Sequence, residues 1–273
     1  MSNSELKYDV KLILEKEMPY LIKLLNNKPI GWTAINRKLK NKVESLREEL
    51  IENRQATKII DATIFSIIIQ YLNKNEKAYV MFDFYNQTFE QLYNRLTNSE
   101  LNHTHKMVKY VLTNLDYNYL NFIGEIATLN AFMSKGEFEL LNIEEKIYKE
   151  KKVSADLFLR RKVDGLKFLV EIVNIHLENK ENASVAEIEY FLSSKFREKI
   201  KEKFFNYSSY NLSIQPVIWI NSLAQIKLLE NMFSIYEERI EHIRIPMCYL
   251  TFENIDGTLE HRFEYVTTIL KEF

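Results

Sequence analysis

Three acids in the second half of the chain have the residue types and spacing to hold a divalent cation. Glu125 sits in Phe122-Ile123-Gly124-Glu125-Ile126-Ala127, beside the apolar stripe Phe122, Ile126, Leu129 and Met133. Asp156 lies in Val153-Ser154-Ala155-Asp156-Leu157-Phe158-Leu159, and Glu171 in Phe168-Leu169-Val170-Glu171-Ile172-Val173. A carboxylate enclosed by apolar neighbours stays ionised cheaply only beside a cation or metal. Fourteen residues separate Asp156 from Glu171, enough for two strands and a tight turn. Neighbouring strands lie about 4.8 Å apart, so two carboxylates on one face could share a cation.

Positioning these acids requires a particular set of elements. The spacing predicts a helix over 117–134, strands over 153–161 and 166–176, a helix over 184–206 and a strand over 216–220. Val163-Asp164-Gly165 between the first two strands is a hairpin signal. Further elements expected are a helix over 223–241 and strands over 247–252 and 261–266, around the turn Asn254-Ile255-Asp256-Gly257. Upstream the chain reads as successive helices. Leu6, Val10, Ile13 and Leu14 recur at helical spacing until Pro19, and a cation-rich helix covers 34–54. Ile59, Ile60, Ile64, Ile67, Ile68 and Leu72 mark a buried helix; a helix over 79–96 competes with a strand at 78–82, and another helix follows from Met107 to Leu115. The expectation is a helical region over 1–116 and an α/β domain over 117–273, an α+α/β architecture with a central mixed sheet.

The order of helix with acid, hairpin with Asp and then Glu, helix and strand resembles the PD-(D/E)XK nuclease superfamily, the restriction-endonuclease-like fold. The resemblance covers roughly 117–222 and matches Glu125 to the helical acid, Asp156 to the hairpin aspartate and Glu171 to the strand glutamate. It implies Mg²⁺ (or Mn²⁺) at Asp156 and Glu171, hydrolysis of phosphodiesters, and nucleic acid as partner, DNA before RNA; a homodimer would suit double-strand cutting. Glu125 would act as the third catalytic acid. The family lysine would fall at position 173, where this chain has Val173. On the 184–206 helix, Lys195, Lys199 and Lys203 form an i, i+4 row beside the stripe Val185, Ile188, Leu192, Phe196 and Ile200. Lys199 is the first choice for a lysine that has moved to this helix. Lys195, Lys199, Lys203, Arg160 and Arg161 are the candidate nucleic-acid contacts, with Lys149, Lys151, Lys152 and Lys162 beside the hairpin. The competing reading keeps the fold and loses the chemistry, leaving a nucleic-acid-binding or protein-interaction module.

Composition limits the rest. With 37 Lys+Arg against 38 Asp+Glu the net charge is −1, so polyanion binding must come from local clusters. A chain of 273 residues that is 46 % hydrophobic can bury a core, and 5 Gly with 4 Pro disfavours hairpin-dense all-β folds. One cysteine, Cys248, excludes an intrachain disulfide framework and fits a reducing compartment. Met1-Ser2-Asn3-Ser4-Glu5-Leu6-Lys7 has no secretory pattern, and no apolar run reaches the roughly 20 residues of a membrane span, so a cytoplasmic location without membrane contact is expected. His103-x-His105 lacks the further ligands of a zinc site, and Cys248 reads as a core residue. His176 reads as a strand-end histidine.

Overall fold

A computed structural model gives the architecture and describes residues 9–52, 63–146, 154–177, 184–203, 211–220, 226, 229, 244–253, 256–269 and 271. The chain divides into two compact units, Met1–Ile126 and Ala127–Phe273, where the sequence put a break at 116/117.

The N-terminal unit is helical: α1 (Val10–Glu17), α2 (Pro19–Lys23), α3 (Trp32–Glu52), α4 (Ile64–Leu72), α5 (Glu76–Arg95) and α6 (Asn98–Thr113), with α7 (Tyr119–Met133) running across the division. Local chemistry sets the boundaries. Pro19 opens α2 after Met18 has closed α1, because proline suits the first turn and not the interior. Asn75 accepts the Ala78 N–H at 3.0 Å, starting α5. Its buried Ala78, Phe82, Tyr85, Phe89 and Leu92 recur at helical spacing, so 78–82 is helix and not strand. Thr97 and Glu100 form a reciprocal capping box that starts α6 well before Met107. Leu72, expected inside, is half-exposed, because the α4 stripe is buried only from Ile64 to Ile68. Ile59 and Ile60 lie outside the described residues.

The C-terminal unit is built on a six-stranded mixed sheet: β1 (Phe138–Lys146), β2 (Ser154–Arg161), β3 (Lys167–His176), β4 (Asn211–Ile220), β5 (Met247–Glu253) and β6 (Leu259–Tyr265). The spatial order is β1-β2-β3-β4-β5-β6, with β3/β4 and β4/β5 parallel and the other pairs antiparallel. Helix α8 (Val185–Lys203) connects the parallel pair β3 and β4, and α9 (Val266–Ile269) follows β6. Of the 223–241 helix, only Ile226 and Leu229 are described, and both are helical and buried.

β1 is absent from the sequence expectation. A bulge between Leu140 and Asn142 breaks the alternation that marks a strand, and the segment carries four charges in nine residues. β4 also starts earlier than expected, at Asn211, because it pairs with β3 from Phe168 onward.

Both faces of the sheet carry buried residues, with Leu157, Leu159, Val170 and Ile172 on one and Val173, Ile175, Ile214 and Ile218 on the other, the face that α8 covers. Ile188, Leu192 and Phe196 of α8 pack with Val173, Ile175, Ile214, Ile218, Cys248 and Leu250. Leu192 is fully buried, so Leu192→Ala is expected to cost about 2–5 kcal/mol in a denaturant titration.

Candidate active site

The parity of β3 decides which face Glu171 takes. Val173 and Ile175 pack under α8, so Glu171, two residues before Val173, projects to that same face. Its side chain is 2 % exposed, a costly place for a carboxylate without a cation. Helix α8 supplies one. Its buried positions Ile188, Leu192 and Phe196 are followed, three residues on, by Lys199, whose Nζ donates to Glu171 Oε1 at 2.9 Å. Lys199 keeps 34 % of its side chain exposed, so the ammonium bridges the buried carboxylate and solvent. Val173 is a core residue. A positive charge reaches Glu171 from the helix, not from the strand.

Asp156 stands on the neighbouring strand. β2 and β3 pair in register at Leu157↔Val170, Phe158↔Leu169, Leu159↔Phe168 and Arg160↔Lys167. One step further along the register lies Asp156 opposite Glu171. There the backbone pairing stops and the Asp156 carboxylate enters the ladder, its Oδ2 accepting the Ile172 N–H at 2.7 Å. That bond fixes a half-buried carboxylate beside the Lys199–Glu171 pair.

Glu144 is a third acid that the sequence did not single out. Ile143↔Leu157 and Glu145↔Ala155 flank it, which sets Glu144 opposite Asp156. Its φ of 50° is left-handed backbone that a glutamate rarely adopts, and it lies just after the bulge. Without β1 in view, nothing in the sequence could have placed it. Among the described residues, no three His, Cys, Asp or Glu side chains converge as a metal cluster. Two carboxylates with hard oxygens still fit the needs of Mg²⁺, which takes one or two from protein and the rest from water and phosphate.

The other candidates are distributed as follows. Glu125 is half-buried on α7 and belongs to the N-terminal unit, whereas Asp156, Glu171 and Lys199 belong to the C-terminal unit. Arg160 Nε donates to Glu139 Oε2 at 2.9 Å across the β1–β2 pair, and Arg161 Nε lies 3.1 Å from Asp164 in the hairpin turn. Both guanidiniums therefore have carboxylate partners within the fold. Lys195 is exposed, 5.8 Å from the Phe191 ring centroid. The side chain of Lys203 lies outside the described residues, as do Lys149, Lys151 and Lys152. His176 ends β3 stacked on Trp219, and Cys248 is buried, which raises its thiol pKa above the ordinary value.

The hairpin below the site is held electrostatically. The Arg161 guanidinium and the Leu166 N–H bind Asp164 and hold its carboxyl down at about 2. A depressed carboxyl stabilises the fold at pH values above its unfolded pKa of about 3.9, and that contribution disappears as pH falls through the folded value. Asp164→Asn should therefore melt earlier than the unsubstituted chain at pH 6, and the difference should close between pH 4 and pH 2.

No family model and no curated protein matches this chain. Among solved structures it is similar to one described as "The structure of Pyrococcus Furiosus SfsA in complex with Ca2+", with a TM-score of 0.26 and 9 % identity. The match covers 56 % of this chain and 65 % of that one, less than two thirds of its length. Among the described residues, no helix is long and apolar enough to cross a membrane.

Proposed function

We propose that the C-terminal unit is a metal-dependent nuclease of the PD-(D/E)XK kind, hydrolysing phosphodiester bonds in DNA, with its lysine carried by α8. The observation that carries this reading is the Lys199–Glu171 pair beside the Asp156 carboxylate on one sheet face. The element order α7-β1-β2-β3-α8-β4 supports it, because helix, hairpin, helix and strand follow the superfamily's sequence.

Asp156 and Glu171 would hold the Mg²⁺ or Mn²⁺. When bound, the ion supplies Lewis acidity at the phosphate and lowers the pKa of a coordinated water. The chain's own residues set the rest. The Ile172 N–H orients the Asp156 carboxylate through Oδ2. Burial keeps the Glu171 environment of low polarity, so charge interactions there are stronger than in bulk water. Lys199, anchored on Glu171 with a third of its side chain in solvent, would donate from Nζ to a phosphate oxygen or to the attacking water. Asp156, Glu171 and Lys199 all belong to the C-terminal unit, and the proposed centre is described from these three.

A second reading has its own support. One oxygen of Asp156 and one of Glu171 already accept internal hydrogen bonds, which is also how a nuclease fold that only binds nucleic acid would settle. Incubating the protein with supercoiled plasmid in Mg²⁺, Mn²⁺ or EDTA separates the two. Cleavage in either metal, lost in EDTA and in Asp156→Ala, supports the nuclease; retention of DNA without cleavage supports the binding module.

A further inference from the structure

Between Glu17 and Glu44 the sequence contains no acid and six cations, Lys23, Lys28, Arg37, Lys38, Lys40 and Lys42. In a chain whose net charge is −1, positive charge is therefore concentrated in one stretch. Four of the six fall in the first half of α3.

The two sides of α3 differ there. Ile35 is buried, Leu39 and Val43 are half-buried, and Asn36 is tied to the start of α1, its Oδ1 accepting the Val10 N–H at 3.2 Å. Thr33, Ala34, Arg37, Lys38, Lys40 and Asn41 are all exposed. Apart from Ala34, each of these is a cation or carries a hydrogen-bond donor. Several cations elsewhere are answered within the fold: Arg160 by Glu139, Arg161 by Asp164 and Lys199 by Glu171. On α3, Lys40 meets Glu44 only at 3.9 Å, and among the described residues Arg37, Lys38 and Lys42 form no ion pair. No acid stands in the first turn, so the positive end of the helix dipole adds to the same field.

Such a face fits a polyanion. From Thr33 to Asn41 the helix rises about 12 Å. Duplex DNA carries a negative charge about every 1.7 Å along its axis, so a strip of that length meets several phosphates. Cations mixed with hydroxyl and amide donors are the set that holds phosphate oxygens without reading bases. An anionic membrane fits less well, because an interfacial helix needs an apolar side to insert, and α3 turns its Ile35 side inward.

We infer that the exposed face of α3 binds the phosphate backbone of duplex DNA through Arg37, Lys38 and Lys40, independently of base sequence. The choice of partner rests on the proposed nuclease reading, but the measurement involves no cleavage.

The test is fluorescence anisotropy of the full chain with a labelled duplex of about 30 base pairs across a salt series, in EDTA. The combined variant Arg37→Gln, Lys38→Gln and Lys40→Gln keeps good helix formers at exposed positions, and circular dichroism should show it folded. It should bind at least about tenfold more weakly at low salt, and the slope of log affinity against log salt should fall by about 2 to 3. A control with the same loss of charge, Lys77→Gln, Lys109→Gln and Lys135→Gln, also at exposed positions, should bind within about twofold of the unsubstituted chain. An unchanged slope in the α3 variant, or an equal loss in the control, overturns the inference. So does binding to phosphatidylglycerol vesicles that the α3 substitutions abolish while duplex binding persists. If duplex binding depends on α3 but the chain never cleaves in Mg²⁺, the surface stands and the nuclease falls. If the chain cleaves while the α3 variant binds normally, the reverse holds.

Discussion

Glu171→Ala should abolish metal-dependent cleavage, lowering turnover by at least about a thousandfold while leaving nucleic-acid affinity within about twofold. The size of the effect follows from what the substitution removes. Glu171 is the buried oxygen donor of the proposed centre, and its loss also frees Lys199 from its anchor. Asp156 alone, held by the Ile172 N–H, would leave a bound ion one carboxylate short. The fold itself should tolerate the change, because Lys199 is a third exposed and can extend into solvent once its partner is gone. Single-turnover cleavage and anisotropy on the same preparation check both halves of the prediction. A loss of affinity equal to the loss of turnover would show that the substitution had damaged binding or folding, not chemistry.

The second large effect is expected at Lys199. Lys199→Met removes the ammonium from a carboxylate that is 2 % exposed, while its own partial exposure moderates the cost. Breaking such a pair from one side should destabilise the unit by about 1–3 kcal/mol, measurable by urea titration. Turnover should fall about a hundredfold, the scale for losing one positioned donor at a developing charge. Lys199→Arg separates the two roles. Arginine restores the ion pair, and with it most of the stability, but its planar fork places its donors differently from a compact ammonium, so turnover should remain low. Recovery of stability without recovery of rate is the signature of a lysine that also acts in catalysis; parallel recovery of both would mark it as structural.

How much of this was legible in the sequence depends on whether the signal was local. The β2–β3 hairpin was readable because Asp164-Gly165 specifies a tight turn, and Gly165 adopts the φ of 72° that such a turn needs. Helix α8 was readable from Ile188, Leu192 and Phe196, and the same spacing marked out Lys195, Lys199 and Lys203 as a row. What the row could not say is depth. Lys199 reaches Glu171 because it follows Phe196 on the packed side, whereas Lys195 is in solvent. β1 was illegible because its bulge shifts the alternation midway, and with it went Glu139 and Glu144. Arg160 and Arg161 illustrate the converse failure. Their charge was obvious, but their pairing with Glu139 and Asp164 depends on strand register and on the turn's geometry.

The central claim is that Asp156 and Glu171 together hold a divalent cation, and calorimetric titration of Mn²⁺ tests it without any substrate. The unsubstituted chain should take up Mn²⁺ with an isotherm that Asp156→Asn combined with Glu171→Gln eliminates, while circular dichroism shows the doubly substituted chain still folded. An isotherm that survives the double substitution, or none in the unsubstituted chain, would contradict it.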